Sequence, residues 1–167
     1  MIVKITQEMR TKSKDLSLKI FGKEKKLGWK DKFHTGYELA ADFVGFLGEM
    51  AFAQGYDLPE PVFLEKGKDD YDWIINGKTI DLKTKAEKTK DFLINRGQYD
   101  RKKGSIDIFV FGEIYEPYFR TVGWIEYDKV PEISRKVIFP NGSRAWAIRK
   151  KGLKKMGELI VRSEESS

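Results

Sequence analysis

The chain has 167 residues, of which 40% are hydrophobic and 35% are charged, and it contains no cysteine. This length is typical of one domain with its own hydrophobic core. The absence of cysteine excludes disulfide bonds, thiolate zinc sites, iron–sulfur clusters and a cysteine nucleophile. No apolar stretch is long enough to span a membrane, and no signal-peptide pattern opens the chain. We therefore expect a cytoplasmic, intracellular protein without a membrane partner, and an origin in a virus or phage would fit that location.

The net charge of +6 is concentrated at the N-terminus, because residues 1–34 carry ten lysines and arginines against four acidic residues. A basic segment attached to a neutral remainder favours a polyanionic partner, nucleic acid first. A lysine-rich helix that is simply exposed to solvent is the alternative explanation.

The N-terminal third of the chain is predicted to be mainly helical. A short strand over residues 1–5 precedes a basic helix over 6–21 and a charged loop over 22–34. The clearest helix covers residues 36–54, because a capping-box pair precedes it and its apolar residues recur with helical spacing.

One acidic residue interrupts the apolar part of that helix. Glu49 lies within the otherwise apolar stretch 46–53. Burying an unpaired carboxylate is costly. On these residues alone, Glu49 either points to water or belongs to a polar site.

A β-hairpin with an Asn-Gly turn is predicted over residues 72–83, since this dipeptide between short apolar strands favours a two-residue type I′ turn. The register places Asp72 opposite Asp81. Because side chains alternate along a strand, these two carboxylates share one face with Lys83. Opposed carboxylates repel, which indicates a hard divalent cation such as Mg²⁺ between them.

The other face of the hairpin is predicted to be apolar, with Trp73, Ile75, Ile80 and Leu82. Two acids and a lysine beside them suit metal-assisted hydrolysis of a phosphodiester. Asp70 shares the polar face, so which of Asp70 and Asp72 is the first ligand stays open, as does a plain exposed hairpin in which Lys83 neutralises an acid.

The remainder of the chain is predicted to contain mainly short strands. A turn of helix around 96–101 and a closing helix over 152–161 interrupt them. The order of the elements favours an α/β layer structure with a mixed sheet covered by helices. The strands are predicted over 92–94, 106–111, 119–125, 137–139 and 145–148.

The acid before the hairpin and the Asp81-Leu82-Lys83 element resemble the PD-(D/E)xK nuclease superfamily. Gly48-Glu49-Met50-Ala51 is similar to the Gly-Glu-x-Ala element that many members carry on a preceding helix. The resemblance covers roughly residues 36–112. Tyr71 stands where the family name has a proline.

The resemblance implies a restriction-endonuclease-like fold, in which a central mixed β-sheet is flanked by helices. We expect one domain over residues 1–167. It would comprise the basic segment 1–34, a catalytic core over 35–112, and strands and a helix over 113–167.

The resemblance also implies roles for individual residues. Asp72, Asp81 and the Leu82 carbonyl would bind Mg²⁺ or Mn²⁺, and Glu49 would complete the set directly or through water. Lys83 would position the attacking water. Gln98, followed by a tyrosine, would contact substrate or order the site.

These roles describe a metal-dependent deoxyribonuclease, and we expect an endonuclease. DNA is favoured over RNA because most members of the family act on DNA. The basic segment 1–34, with Lys85, Lys88 and Lys90, would contact the phosphate backbone. Two alternatives stay open: a catalytically silent nucleic-acid-binding protein on a nuclease-like scaffold, and a Holliday-junction resolvase acting as a homodimer.

Overall fold

The computed structural model describes residues 1–26, 35–61 and 71–160. Short 3₁₀ turns over Tyr127–Lys129 and Lys150–Gly152 supplement five helices and eight strands in these ranges. The elements in chain order are β1 (Ile2–Lys4), α1 (Gln7–Lys26), α2 (Thr35–Tyr56), β2 (Trp73–Ile75), β3 (Lys78–Lys85), β4 (Asp91–Asn95), α3 (Arg96–Arg101), β5 (Ile108–Tyr115), β6 (Tyr118–Glu126), α4 (Val130–Ile133), β7 (Arg135–Ile138), β8 (Arg144–Arg149) and α5 (Met156–Ile160).

The larger sheet has five strands in the order β1-β6-β5-β3-β2. Only the central pair, β3 and β5, is parallel, and the other neighbours are antiparallel. The prediction of a mixed α/β protein is therefore confirmed.

A second sheet was not predicted. Strands β4, β8 and β7 form an antiparallel three-stranded sheet. Its apolar side chains pack on one face of the larger sheet, where we had expected helices. The short alternating strands indicated strand structure correctly, but local periodicity does not specify which sheet a strand joins.

Two hydrophobic clusters lie on opposite faces of the larger sheet. Helices α1 and α2 cover one face, where Leu47 and Phe52 meet Ile80 and Val110. The smaller sheet and α3 cover the other face, where Phe109 packs with residues such as Phe92, Phe111, Tyr99, Trp146 and Ile148. Alternation along β3 and β5 supplies both clusters at once.

The predicted hairpin is confirmed in its register and its turn. Trp73 pairs with Ile80, and Ile75 pairs with Lys78. Both turn residues have positive φ, 51° at Asn76 and 71° at Gly77, as a type I′ turn requires. The side chains of Trp73, Ile80 and Leu82 lie in the cluster under α1 and α2, so the predicted apolar face is confirmed as well.

Several predicted boundaries are wrong. Residues 22–26 continue α1 instead of forming a loop, and the closing helix begins only at Met156, after a 3₁₀ turn. The remainder of the predicted loop, residues 27–34, lies outside the described residues, as does Asp70. In the part of the chain that the structure describes, no helix is both long and apolar enough to cross a membrane.

Candidate active site

The site lies at an edge of the larger sheet, just past the end of β2. The ladder between β2 and β3 stops at the pair Trp73 and Ile80. On that side of Asp81 to Lys85, the described ranges provide no pairing strand. The polar residues of β3 beyond Ile80 therefore have one open flank.

Asp72 occupies the first position on this open flank. Its backbone N–H donates to the carbonyl of Ile80 at 2.7 Å, and its Oδ2 accepts the N–H of Leu82 at 2.7 Å. The Asp72 side chain thus accepts a backbone hydrogen bond that a neighbouring strand would otherwise accept. Because the N–H and C=O of one strand residue point to the same side, the Leu82 carbonyl points to the flank where Asp72 lies.

Asp81 is the most deeply buried carboxylate of the site, with 3% of its surface exposed. Lys83 Nζ lies 2.8 Å from its Oδ2, and Lys102 Nζ lies 3.1 Å from the same oxygen. Two ammonium groups therefore bracket one oxygen. That oxygen nevertheless accepts no well-directed hydrogen bond within the described residues.

Lys102 reaches the site from α3, which is capped at its N-terminus and tied to Tyr127 through Tyr99. The Asn95 side chain caps its N-terminus by accepting the N–H of Gln98 at 3.2 Å. Tyr99 donates its hydroxyl to the Tyr127 carbonyl at 3.0 Å, and Tyr127 donates back to the Tyr99 carbonyl at 2.6 Å. The two rings stack with centroids 4.2 Å apart. This reciprocal pair fixes the helix, and Lys102 follows its last residue.

Glu49 approaches the same group from α2, which packs against β3. Burial raises the pKa of Glu49 well above its usual value, and the charges of Asp72 and Asp81 raise it further, against opposition from Lys83 and Lys102. The carboxyl therefore lies within the electrostatic field of all four side chains. Of the two possibilities for Glu49, a side chain that simply points into water is not what the structure shows.

The pKa of Asp72 is raised as well. Burial and the charge of Asp81 raise its pKa to about 6, although the Leu82 N–H, Lys83 and Lys102 lower it. The charges of three carboxyl groups and two lysines thus influence one another here. An additional cation would relieve the repulsion among the carboxylates.

The oxygen donors fit a hard divalent cation, although they are not drawn together as a finished ligand set. In residues 1–26, 35–61 and 71–160, no three acidic or histidine side chains are grouped closely enough to hold a metal. Asp72 Oδ2 accepts the Leu82 N–H, and Asp81 is paired with two lysines. Asp81 Oδ2 already has two ammonium groups near it but accepts no well-directed hydrogen bond among the described residues, and an oxygen of this kind suits a cation.

The structure separates Gln98 from the other predicted site residues. Gln98 is exposed at the start of α3, and no hydrogen bond of its amide to Asp72, Asp81 or Lys83 is found among the described residues. Lys102, which sequence reasoning missed, lies four residues later and so on the same helix face. That spacing was the available signal, since a search of this helix face for site residues would have included Lys102 as well as Gln98.

Part of the basic N-terminal segment is committed to internal ion pairs. Arg10 pairs with Glu116, and Lys12 lies 2.9 Å from both Glu8 and Glu60. These pairs reduce the charge that α1 offers to a polyanion.

A cleft of about 1270 Å³ lies elsewhere in the described part of the chain. It opens at the beginnings of β3 and β5, beside Lys78, Asp107 and Trp124. Its lining carries charges of both signs and none of the carboxylates of the candidate site, so we do not assign the chemistry to it.

Comparisons of this chain with family models, with curated proteins and with solved structures found no match.

Proposed function

We propose that this protein is a metal-dependent nuclease that hydrolyses phosphodiester bonds of DNA, on a fold of the restriction-endonuclease type. The observation that carries the proposal is the convergence of Asp72, Asp81 and Lys83 at one open strand edge. The charges of all three also affect the pKa of Glu49. An acid, a second acid and a lysine around one point suit this chemistry.

The protein groups would divide the work. Asp72, Asp81 and the Leu82 carbonyl would hold Mg²⁺ or Mn²⁺, with Glu49 completing the set. When bound, the ion supplies an activated water and neutralises charge on the phosphate. Lys83 orients the attacking water, and Lys102 stabilises negative charge that develops on the phosphoryl oxygens.

The ion pairs of Lys83 and Lys102 with Asp81 fit this division of labour. Both ammonium groups lie against the Asp81 carboxylate. A cation at Asp81 would release them toward the water and the phosphate, because like charges repel. Both lysines are partly exposed, so this movement needs no rearrangement of the core.

The test is cleavage of supercoiled plasmid and of single-stranded DNA with Mg²⁺, with Mn²⁺ or with EDTA. We expect cleavage only with metal, and a loss of about 100-fold or more in Lys83→Met. Lys78→Met is the matched control, since Lys78 begins the same strand but is exposed at the turn. Absence of metal-dependent cleavage, or equal rates for the two variants, would overturn the proposal.

A catalytically silent binding protein is the second candidate, because the described carboxylates are engaged and not gathered as a metal set. It predicts binding of nucleic acid without cleavage in the same assay. A junction resolvase would in addition require a homodimer, which the mass in solution from light scattering decides.

A further inference from the structure

Residues 1–26, 35–61 and 71–160 leave one part of the larger sheet uncovered beyond the candidate site. On the face that the smaller sheet covers, Glu113 of β5 is still buried, whereas side chains beyond it are partly or largely exposed. The next residues on that face, from β5, β6 and β1, form a patch that we call the platform: Tyr115, Tyr118, Arg120, Ile2 and Lys4. Ile2 is 61% exposed and Tyr118 is 39% exposed.

The pairing register shows that the platform is one continuous surface. Lys4 lies opposite Tyr118, and Tyr118 lies opposite Tyr115. In the adjacent row, Ile2 lies opposite Arg120, and Arg120 lies opposite the buried Glu113. Directly paired residues share a face, so the two rows lie side by side on the same face of the sheet.

A buried carboxylate organises the cations around the platform. Glu113 has no exposed surface. It pairs with Arg120 at 2.9 Å and with Lys150, and it accepts the N–H of Thr89 at 2.9 Å. Arg120 and Lys150 keep 38% and 29% of their side chains exposed. One buried anion thus holds two cations at fixed positions with their outer surfaces free.

Several cations of the described residues lie in the platform or contact it. Lys88 Nζ and Arg120 Cζ each lie 5.7 Å from the centre of the Tyr115 ring. The cationic side chains in and beside the platform are Lys4, Lys85, Lys88, Arg120 and Lys150. The acidic side chains are Glu87, Glu113 and Glu116, of which Glu113 is buried and Glu116 is paired with Arg10.

Aromatic rings beside cations on an open sheet suit an unpaired nucleic-acid strand. The rings of Tyr115 and Tyr118 lie 5.9 Å apart and are tilted by 41°. Cations on Tyr115 leave Tyr118 as the more open ring. Unpaired bases stack on such rings, whereas the bases of a duplex are already stacked inside it.

The platform is continuous with the candidate active site. Lys85 lies opposite Glu113 and follows Lys83 by two residues on the same face of β3, at a Cα separation of about 7 Å. The platform therefore begins two residues along β3 from Lys83 of the candidate site.

We propose that the platform binds single-stranded nucleic acid, with a base stacked on Tyr118 and phosphates held by Lys88, Arg120 and Lys150. The link to cleavage rests on the proposed nuclease function, whereas binding does not. The platform would give the nuclease a preference for substrates with an unpaired strand beside the cleavage point.

The experiment measures fluorescence anisotropy of a labelled oligothymidylate of about 15 nucleotides and of a labelled duplex of equal length, with the full chain in EDTA. We expect the single strand to bind more tightly than the duplex at equal salt. Tyr118→Ala should weaken single-strand binding roughly tenfold, and Tyr118→Phe should retain it.

A salt titration tests the cations independently. Lys88→Ala should reduce the magnitude of the slope of log K against log salt by about 0.7, the value for one phosphate contact to a single strand. Lys129→Ala is the control, since Lys129 is exposed at the other end of the sheet and pairs only with the exposed Glu132 among its described contacts.

Equal affinity for duplex and single strand, or unchanged binding by Tyr118→Ala, would overturn the platform proposal. Metal-dependent cleavage that Lys83→Met abolishes would then still support the nuclease. If instead Tyr118→Ala weakens binding and no metal-dependent cleavage occurs, the platform stands and the nuclease proposal fails.

Discussion

Gly48 of α2 lies against Thr84 of β3 so closely that a β-carbon on residue 48 would overlap the threonine hydroxyl and lie 2.7 Å from its Cβ. Helix and strand can approach to this distance only because residue 48 has no side chain. Glu49 follows directly, so this contact sets how near its carboxyl comes to Asp72 and Asp81.

Gly48→Ala should therefore destabilise the protein and impair the site. The added carbon pushes α2 away from β3, and we expect a loss of about 1–3 kcal/mol in the free energy of unfolding, measured by urea denaturation. Cleavage should fall as well, because Glu49 moves with the helix. Gly45→Ala is the matched control, since a β-carbon there meets nothing within 4 Å. That change should be neutral or stabilise by up to about 1 kcal/mol, and equal losses in both variants would contradict the packing explanation.

Asp72→Asn should make the metal-free protein more stable at neutral pH while abolishing cleavage. Burial and the charge of Asp81 raise the pKa of Asp72 to about 6 from its usual 3.8, so the ionised form is disfavoured in the folded state. The asparagine oxygen still accepts the Leu82 N–H. The wild type gains stability as the pH falls from about 6 toward 3.8, because the folded state then binds more protons than the unfolded state. The advantage of the variant should shrink over that range.

Thermal melting in EDTA across this pH range provides the measurement for Asp72. The control is Asp107→Asn, at a carboxylate whose pKa is lowered by the hydrogen bond from the Thr79 N–H. It should destabilise at neutral pH. A destabilised Asp72→Asn would show that its carboxylate is not under electrostatic strain.

Lys102→Ala should slow cleavage, whereas Lys103→Ala should not. Lys102 lies 3.1 Å from Asp81 Oδ2, and its neighbour Lys103 is exposed. We expect a loss of about 10- to 100-fold for the first variant, the scale of one charge-stabilising group. Initial rates on plasmid at saturating Mg²⁺ measure it, and similar rates for the two variants would remove Lys102 from the site.

Glu113→Gln should destabilise the protein at neutral pH, and the difference should vanish in acid. Burial raises the pKa of Glu113, but its bonds to Lys150, Thr89 and Arg120 outweigh burial and lower it overall. Its contribution to stability is therefore present above the usual value of 4.5 and is lost as the pH falls through the lowered value. We expect a loss of about 2 kcal/mol at neutral pH, since two cations lose their buried partner.

The free energy of unfolding of wild type and Glu113→Gln is compared by urea denaturation at neutral pH and at a pH below the lowered pKa of Glu113. Glu132→Gln is the control, because Glu132 is exposed in its pair with Lys129 and such pairs contribute little. If Glu113→Gln loses the same stability in acid, the loss comes from altered packing and not from the missing charge.

Local sequence patterns predicted the elements well and their assembly less well. The helix over Arg96–Arg101 and the Asn-Gly hairpin were found correctly because they depend on residues within one turn of each other. The smaller sheet was missed because β4 pairs with β8, which lies some fifty residues later in the chain. Loops and packing, and not periodicity, decide such pairings.

In the candidate site, too, some residues were predictable from local patterns and others were not. Asp72, Asp81 and Lys83 lie within twelve residues, and turn geometry with strand alternation suffices to bring them to one edge. The placement of Glu49 needed the close contact of Gly48 with Thr84, and the placement of Lys102 needed the Tyr99–Tyr127 pair. Contacts between distant segments depend on how whole elements pack, and a local pattern carries no information on that packing. The hairpin is thus a property of the sequence read locally, whereas the second lysine, the position of Glu49 and the open platform arise only when the helices and sheets come together.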